Sequence, residues 1–265
     1  MKIKEVTDFL ETIAPLEYQE RYDNAGLIVG DKEEEFKGAL ICLDSTEEVI
    51  DEAIELGYNL VIAHHPIIFQ GIKKLTGRTY IGRAILKAIR NNISIYAAHT
   101  NLDNAFANGV STKIAQKLGF DNLEILDPKQ EFILKGEKVG TGVIAYLDKE
   151  MSEMEFLKYL KNKLNLNCVK YTALRDRPVK KVAICGGACS FLLNKAKRIG
   201  ADIFITADFK YHEYFDAEND MIIADIGHYE SEIYTIELIY DILQNNFSNF
   251  AARLTKVITN PVKYL

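Results

Sequence analysis

The sequence predicts an α/β fold of two domains, the first built on a largely parallel sheet. Three observations predict it. Short apolar runs of strand length recur along the chain, amphipathic helical stretches separate them, and glycine or capping residues mark the joints. The clearest runs are residues 60–63, 93–98 and 221–226. They are apolar without strict alternation, as strands covered on both faces are.

The elements follow in order. Residues 4–14 place Val6, Phe9, Leu10 and Ile13 at helical spacing. Tyr22-Asp23-Asn24-Ala25-Gly26 and Gly30-Asp31 punctuate a short strand with turns. Residues 37–43 form a strand that ends at Asp44, and Ser45 and Glu48 are spaced as a capping box for the next helix. Gly57 suits the C′ position of that helix. The strand at 60–63 follows, then a helix over 79–91, a turn at Asn91-Asn92 and the strand at 93–98. This βαβαβ rhythm implies a parallel sheet with covering helices. The polar, turn-rich stretch 122–135, with Asp127-Pro128-Lys129-Gln130, marks the expected boundary. Beyond it, strands at 140–147, 168–172, 180–185 and 202–206 alternate with helices to make a second α/β domain. The run at 221–226 is assigned back to the first domain, because the residues that follow it match those that follow the other runs. The expected division is residues 1–125 plus 221–265 for the first domain and 126–220 for the second.

Composition supports a globular chain. Of 265 residues 48% are hydrophobic, enough for a full core. The net charge of −6 argues against a protein that coats nucleic acid by bulk charge. No apolar run is long enough for a membrane span, and the first residues lack a signal core, so a cytoplasmic protein is expected. The four cysteines, Cys42, Cys168, Cys185 and Cys189, form no CxxC pair and are read as reduced thiols.

The ends of the three apolar runs carry the chemistry. His64-His65-Pro66 follows the first, His99-Thr100-Asn101-Leu102-Asp103 the second, and Gly227-His228-Tyr229-Glu230-Ser231-Glu232 the third. In open α/β sheets ligands bind at the carboxyl ends of strands. Adjacent residues on a strand point to opposite faces, so His64 and His65 address two different ions more readily than one. That arrangement implies a dinuclear centre, its ions about 3.5–4 Å apart. If Gly227 releases the chain into a helix, His228 and Glu232 share one face, and the two oxygens of Glu232 could bridge both ions. Asp103 adds a carboxylate. Nitrogen and oxygen donors without thiolate suit zinc, manganese, iron, cobalt or nickel. The bland reading of each residue alone is a hydrogen-bonded core histidine or a surface pair; the combination outweighs it. His99 is either a partner of a ligand or a proton shuttle, and Asp44 either orients a ligand histidine or caps a helix.

These segments together resemble the Nif-three-like family, whose bacterial members carry the name GTP cyclohydrolase I type 2 homologue. The matching pieces are Asp23-Asn24-Ala25-Gly26-Leu27, His64-His65-Pro66-Ile67-Ile68-Phe69, His99-Thr100-Asn101-Leu102-Asp103, Gly200-Ala201-Asp202 through Thr206-Ala207-Asp208, Lys210-Tyr211-His212, and the segment from Gly227 to Glu232. They lie in the family's order over nearly the whole chain. The resemblance implies a two-domain α/β fold with a dinuclear metal site at strand C-terminal ends. His64, His65, Asp103 and His228 would be terminal ligands and Glu232 the bridge. It also implies two divalent ions per chain and a homohexamer, a trimer of dimers with the metal sites facing an internal cavity. The implied activity is that of a metal-dependent hydrolase, with metal-activated water attacking a nucleotide-type substrate such as GTP. Glu232, His99 and His212 are the candidate catalytic residues. The alternative is a non-catalytic metal-binding ring with an assembly, metal-handling or nucleic-acid-associated role. Two departures from the family pattern are Tyr22, where many members have Trp, and a loop at Cys185-Gly186-Gly187-Ala188-Cys189 poorer in glycine.

Two further features are weaker. The Gly186-Gly187 turn between a strand and a helix could hold phosphate, but it lacks both the GxGxxG pattern and a P-loop lysine, and close backbone packing is the better explanation. The cluster Lys161, Lys163, Lys170, Arg175, Arg177, Lys180 and Lys181 could line a nucleic-acid path, although a solvated face is the simpler reading.

Overall fold

Five strands form one sheet and six form another in the computed structural model, which describes residues 1–265. In chain order they are β1 (Gly26–Val29), β2 (Ala39–Cys42), β3 (Leu60–Ala63), β4 (Ser94–Ala97), β5 (Leu123–Pro128), β6 (Gly140–Ser152), β7 (Lys170–Tyr171), β8 (Pro178–Ile184), β9 (Ile203–Thr206), β10 (Ile222–Asp225) and β11 (Ala252–Leu254). The chain divides into two compact units, residues 1–102 with 235–261 and residues 103–234 with 262–265.

The first unit holds the sheet β1-β4-β3-β2-β11. Every residue of β2, β3 and β4 is buried, which is why these strands read as continuous apolar runs. They pair in parallel, with the helices Glu47–Leu56 and Tyr80–Arg90 as crossovers. Val49, Ile50 and Ala53 of one helix and Ala84, Ile85 and Ala88 of the other pack in one core cluster with Leu40, Val61 and Ile95. The strand ends are in register, since Cys42 pairs with Ala63 and Ala63 with Ala97. Asp44, His64-His65 and His99 therefore leave the sheet along one edge. The helix Glu47–Leu56 is capped one residue later than the sequence predicts. Thr46 is the N-cap and accepts from the Val49 amide at 3.4 Å, while Gly57, at φ 70°, takes the left-handed C-terminal position. Asp44 is thereby left out of the cap.

The second unit holds the sheet β5-β6-β8-β9-β10-β7. The pairs β8/β9 and β9/β10 are parallel, whereas β5/β6, β6/β8 and β10/β7 are antiparallel. Two expectations are corrected here. The apolar run at 221–226 becomes β10 and pairs with β9, Ile222 opposite Ile203 and Asp225 opposite Thr206, so it belongs to the second sheet. The stretch 122–135 is not a linker, because β5 pairs along β6 from Leu123 opposite Ala145 to Pro128 opposite Gly140. The units divide after Leu102 and after Tyr234 rather than after 125 and 220. As a result the expected ligand set is split in the chain: His64 and His65 lie in the first unit, Asp103, His228 and Glu232 in the second.

Cys185 and Cys189 are disulfide-bonded, where the sequence predicts reduced thiols, because the Gly186-Gly187-Ala188 turn brings their Cα atoms to 6.2 Å. Cys42 is a buried free thiol and Cys168 an exposed one. No helix is long and apolar enough to cross a membrane.

Candidate metal centre

In the first unit the backbone stays in the sheet as far as the two histidines. The His64 amide donates to the Cys42 carbonyl at 3.1 Å and the His65 amide to the Leu43 carbonyl at 2.9 Å. Pro66 offers no further donor, and the chain turns away. At this turn the alternation of faces relaxes. The rings of His64 and His65 lie 5.0 Å apart, and that of His99 lies 5.3 Å from the first and 5.6 Å from the second. One ligand atom from each of the three comes within 4.8 Å of the others, a group able to hold a metal ion.

Each ring is fixed from behind. His64, fully buried, has Nδ1 at 2.7 Å from the Ala98 carbonyl oxygen. His65 Nδ1 lies 2.8 Å from Asp44 Oδ1, and His99 Nδ1 lies 2.7 Å from Asp23 Oδ1. A carbonyl or carboxylate oxygen only accepts, so Nδ1 carries the proton and Nε2 is the lone-pair nitrogen of each neutral ring. Asp44 thus orients His65, and of its two predicted roles the capping one is the one not found. Asp23 has no exposed side-chain surface. Burial alone would push its carboxyl up, but hydrogen bonds from His99, Thr100 and the Asn24 amide hold it down at about 2. Its neighbour Asn24 donates to the Ile68 carbonyl at 2.7 Å, tying this turn to the loop after His65.

In the second unit Gly227, at φ 90°, makes the break that starts the helix His228–Glu232. His228 and Glu232 share one face, as their spacing predicts, with Nε2 at 3.0 Å from Oε2. His228 Nδ1 is anchored on Asp208 Oδ2 at 2.7 Å. The Nε2 lone pair therefore faces a carboxylate oxygen, and only a proton or a cation between them reconciles the two. Glu232 is almost wholly buried, where an ionised carboxylate requires a cationic partner. Gly187 makes room for it: a Cβ at that position would stand 2.3 Å from Glu232 Oε1. The turn is held by Ser231, whose Oγ accepts from the Gly187 amide at 2.9 Å and donates to the His228 carbonyl at 2.8 Å. Asp103, half-buried, ends the helix Thr100–Asp103.

Asp225, at the end of β10, organises the loops on either side. Its carboxylate accepts from the Phe209 amide at 3.2 Å, the Tyr214 hydroxyl at 2.9 Å and the Gly227 amide at 3.1 Å, and pairs with Lys170 at 2.7 Å. Burial, with the hydrogen bond to Asp225 added, keeps the Tyr214 hydroxyl protonated far above its ordinary range.

Other expected features fall elsewhere. His212 is exposed in the 3₁₀ segment Tyr211–Ala217, its ring 5.1 Å from Tyr211 and 6.3 Å from Phe215, with no carboxylate anchor. The Gly186-Gly187 turn is no phosphate cradle, because its amides are committed to Ser111 and Ser231 and that of Cys189 to Thr206. The basic cluster is not a continuous open face. Arg175 is buried against Glu153 at 2.8 Å, Lys170 pairs with Asp225, and Lys181 donates to the Ile199 carbonyl at 2.7 Å. The anchors Asp23 and Asp208 received no role from the sequence, although both sit inside the motifs that carry the resemblance.

Comparison with known proteins shows the family and the fold. The family model Duf34/NIF3 (NGG1p interacting factor 3) matches residues 1–261. A Clostridium perfringens protein named GTP cyclohydrolase 1 type 2 homolog is 37% identical over 233 residues, 88% of this chain and 87% of its own. The crystal structure of Staphylococcus aureus hypothetical protein SA1388 has a TM-score of 0.91 at 30% identity and covers 100% of this chain and 99% of its own. A Bacillus cereus protein related to NIF3 has a TM-score of 0.90 at 26% identity, again over 100% and 99%. With a mixed α/β fold of two sheets and the family model matched from residue 1 to 261, the chain belongs to the Duf34/NIF3 family.

Proposed function

We propose that the protein is a metal-dependent hydrolase acting on a nucleotide-type substrate. In this reading His64, His65, Asp103, His228 and Glu232 would hold the divalent ions. The observation that carries the reading is the treatment of the histidines. Of five in the chain, four have Nδ1 fixed on an acceptor, and so present Nε2 in the form a metal requires. A buried carboxylate beside one of them, with a glycine making room for it, fits the same purpose.

Divalent ions at such a site would supply water activated near neutral pH and charge stabilisation for the reacting group. The chain's own residues do the rest. The Ala98 carbonyl, Asp44 and Asp208 hold three rings in one tautomer, so that no reorganisation is needed on binding. His99, with Asp23 behind it, is placed to take a proton at Nε2 and return it, with Asp23 remaining ionised throughout. The Phe69 ring, 6.0 Å from that of His99, walls off one side. Three-nitrogen and carboxylate donor sets are compatible with zinc, manganese, iron, cobalt or nickel.

The name shared by the relatives makes GTP the first substrate to try. Metal-reconstituted protein is incubated with GTP, other nucleotides and short oligonucleotides, and products are identified by mass spectrometry beside His64→Ala. Formate and a ring-opened product from GTP, absent in the variant, support a cyclohydrolase. Metal-dependent turnover of a different member of the panel retains the hydrolase and discards GTP. No turnover by fully loaded protein contradicts the reading and leaves a metal-binding module.

A further inference from the structure

The segment that follows β11 has no regular structure, yet side chains and backbone tie it down at successive points within the first unit. The Thr255 amide continues the ladder to the Ile41 carbonyl at 2.9 Å, and the Thr255 hydroxyl donates to Glu52. The Lys256 amide reaches both oxygens of Glu52 at 3.1 Å, and Val257 packs against the core cluster. Ile258 is then exposed, and Thr259 turns inward, donating from Oγ1 to Asp44 Oδ2 at 2.6 Å. The other oxygen of the same carboxylate is the one that holds His65 Nδ1, at 2.8 Å.

We propose that Thr259 is a positioning residue for His65, acting through Asp44. A carboxylate held by one oxygen can rotate about its last torsion, which is broad and roughly two-fold. The Asp44 side chain is 38% exposed, so water competes for it. A hydroxyl on the second oxygen fixes the carboxylate plane, and with it the direction from which Oδ1 meets the imidazole. The Nδ1–H tautomer and the ring angle of His65 then depend on a residue 215 positions from Asp44 in the chain. In effect the tail of the first unit is part of the site, because the chain has to return along β2 to deliver the threonine. Removing a direct partner of a ligand histidine costs about 10–100-fold in metal affinity; a residue one step further back costs a fraction of that.

The test uses the full chain and has two readouts, of which only the second rests on the metal reading given above. The first is the ¹⁵N spectrum of the histidines in metal-free protein, assigned with His65→Ala, for wild type, Thr259→Val, Thr259→Ser and Asp44→Asn. Thr259→Val keeps the shape and removes the donor, and is expected to lower the Nδ1–H population of His65 with the melting temperature unchanged. Thr259→Ser is expected to restore it. The second readout is the dissociation constant for zinc. Thr259→Val is expected to weaken it about fivefold, and Asp44→Asn with Thr259→Val to be no weaker than Asp44→Asn alone, since the threonine acts only through the aspartate. An unchanged His65 tautomer in Thr259→Val overturns the proposal, as does full additivity in the double variant. A shifted tautomer in a protein that binds no zinc supports the role of Thr259 and overturns the metal reading instead.

Discussion

At the scale of single residues, the site is a set of anchored rings, and each anchor can be removed. Asp208 is exposed and contacts His228 through one hydrogen bond, so Asp208→Asn, which tolerates the left-handed backbone at φ 58° where alanine would be strained, should weaken metal binding about 10–100-fold by calorimetric titration while leaving the melting temperature nearly unchanged. Gly187→Ala should do more. It strains a backbone at φ 72° and forces the Glu232 carboxylate to move, so both stability, by about 1–2 kcal/mol, and metal binding should fall. Asp23 makes a prediction about pH. Its pKa of about 2 lies below the unfolded value, so its contribution is complete above about pH 4 and is lost as pH falls through about 2. Asp23→Asn should therefore cost about 2 kcal/mol at pH 7, and urea titrations should show the gap from wild type closing as pH drops below 4. The expected ligands stand out in the sequence because they lie at, or within a few residues of, the ends of apolar runs. The anchors Asp23 and Asp208 do not, because Asp23 stands 76 residues from His99 and Asp208 stands 20 from His228, whereas Asp44, 21 residues from His65, is offered by the sequence as one of two readings. Only the folded chain brings these pairs together.

At the scale of elements, local chemistry was legible and partner choice was not. The helices Glu47–Leu56 and Tyr80–Arg90 announce themselves by apolar period, capping residues and, in the first case, a terminal glycine. The capping residue was misplaced by one because Ser45 and Thr46 both suit the role, and Thr46 is the one whose backbone is extended at the helix start. Thr46→Ala should cost about 1 kcal/mol in thermal or denaturant unfolding, and Ser45→Ala should cost less for want of a cap to lose. The strand β10 was recognised as a strand and placed in the wrong sheet. Four residues buried on both faces say that a strand is central, and nothing in them says beside which neighbours. The strand β5 was read as a linker because it is largely half-exposed and closes on a proline, both permitted at a sheet edge. At the end of β10, Asp225 gathers three hydrogen bonds and Lys170. Asp225→Ala leaves buried amides of two loops unpaired and should destabilise the protein by about 3 kcal/mol, seen as a lower urea midpoint.

At the scale of the whole molecule, the expected ligands are divided along the chain between the two compact units, and the division falls between Leu102 and Asp103, inside the segment from His99 to Asp103. The order of motifs along the chain identified the family. Sheet membership was not legible, because it depends on pairings between segments far apart in the sequence. What the histidines of both units share is that Nδ1 is committed to an acceptor, so that Nε2 carries the lone pair. The most direct measurement is the metal content of protein reconstituted with zinc or manganese and freed of excess, by native mass spectrometry with elemental analysis, for wild type, His64→Ala and Glu232→Gln. Two ions per chain in the wild type, and one or none in each folded variant, is the predicted result. A wild type that retains no ion, or variants that retain two, would contradict a dinuclear centre built on these residues.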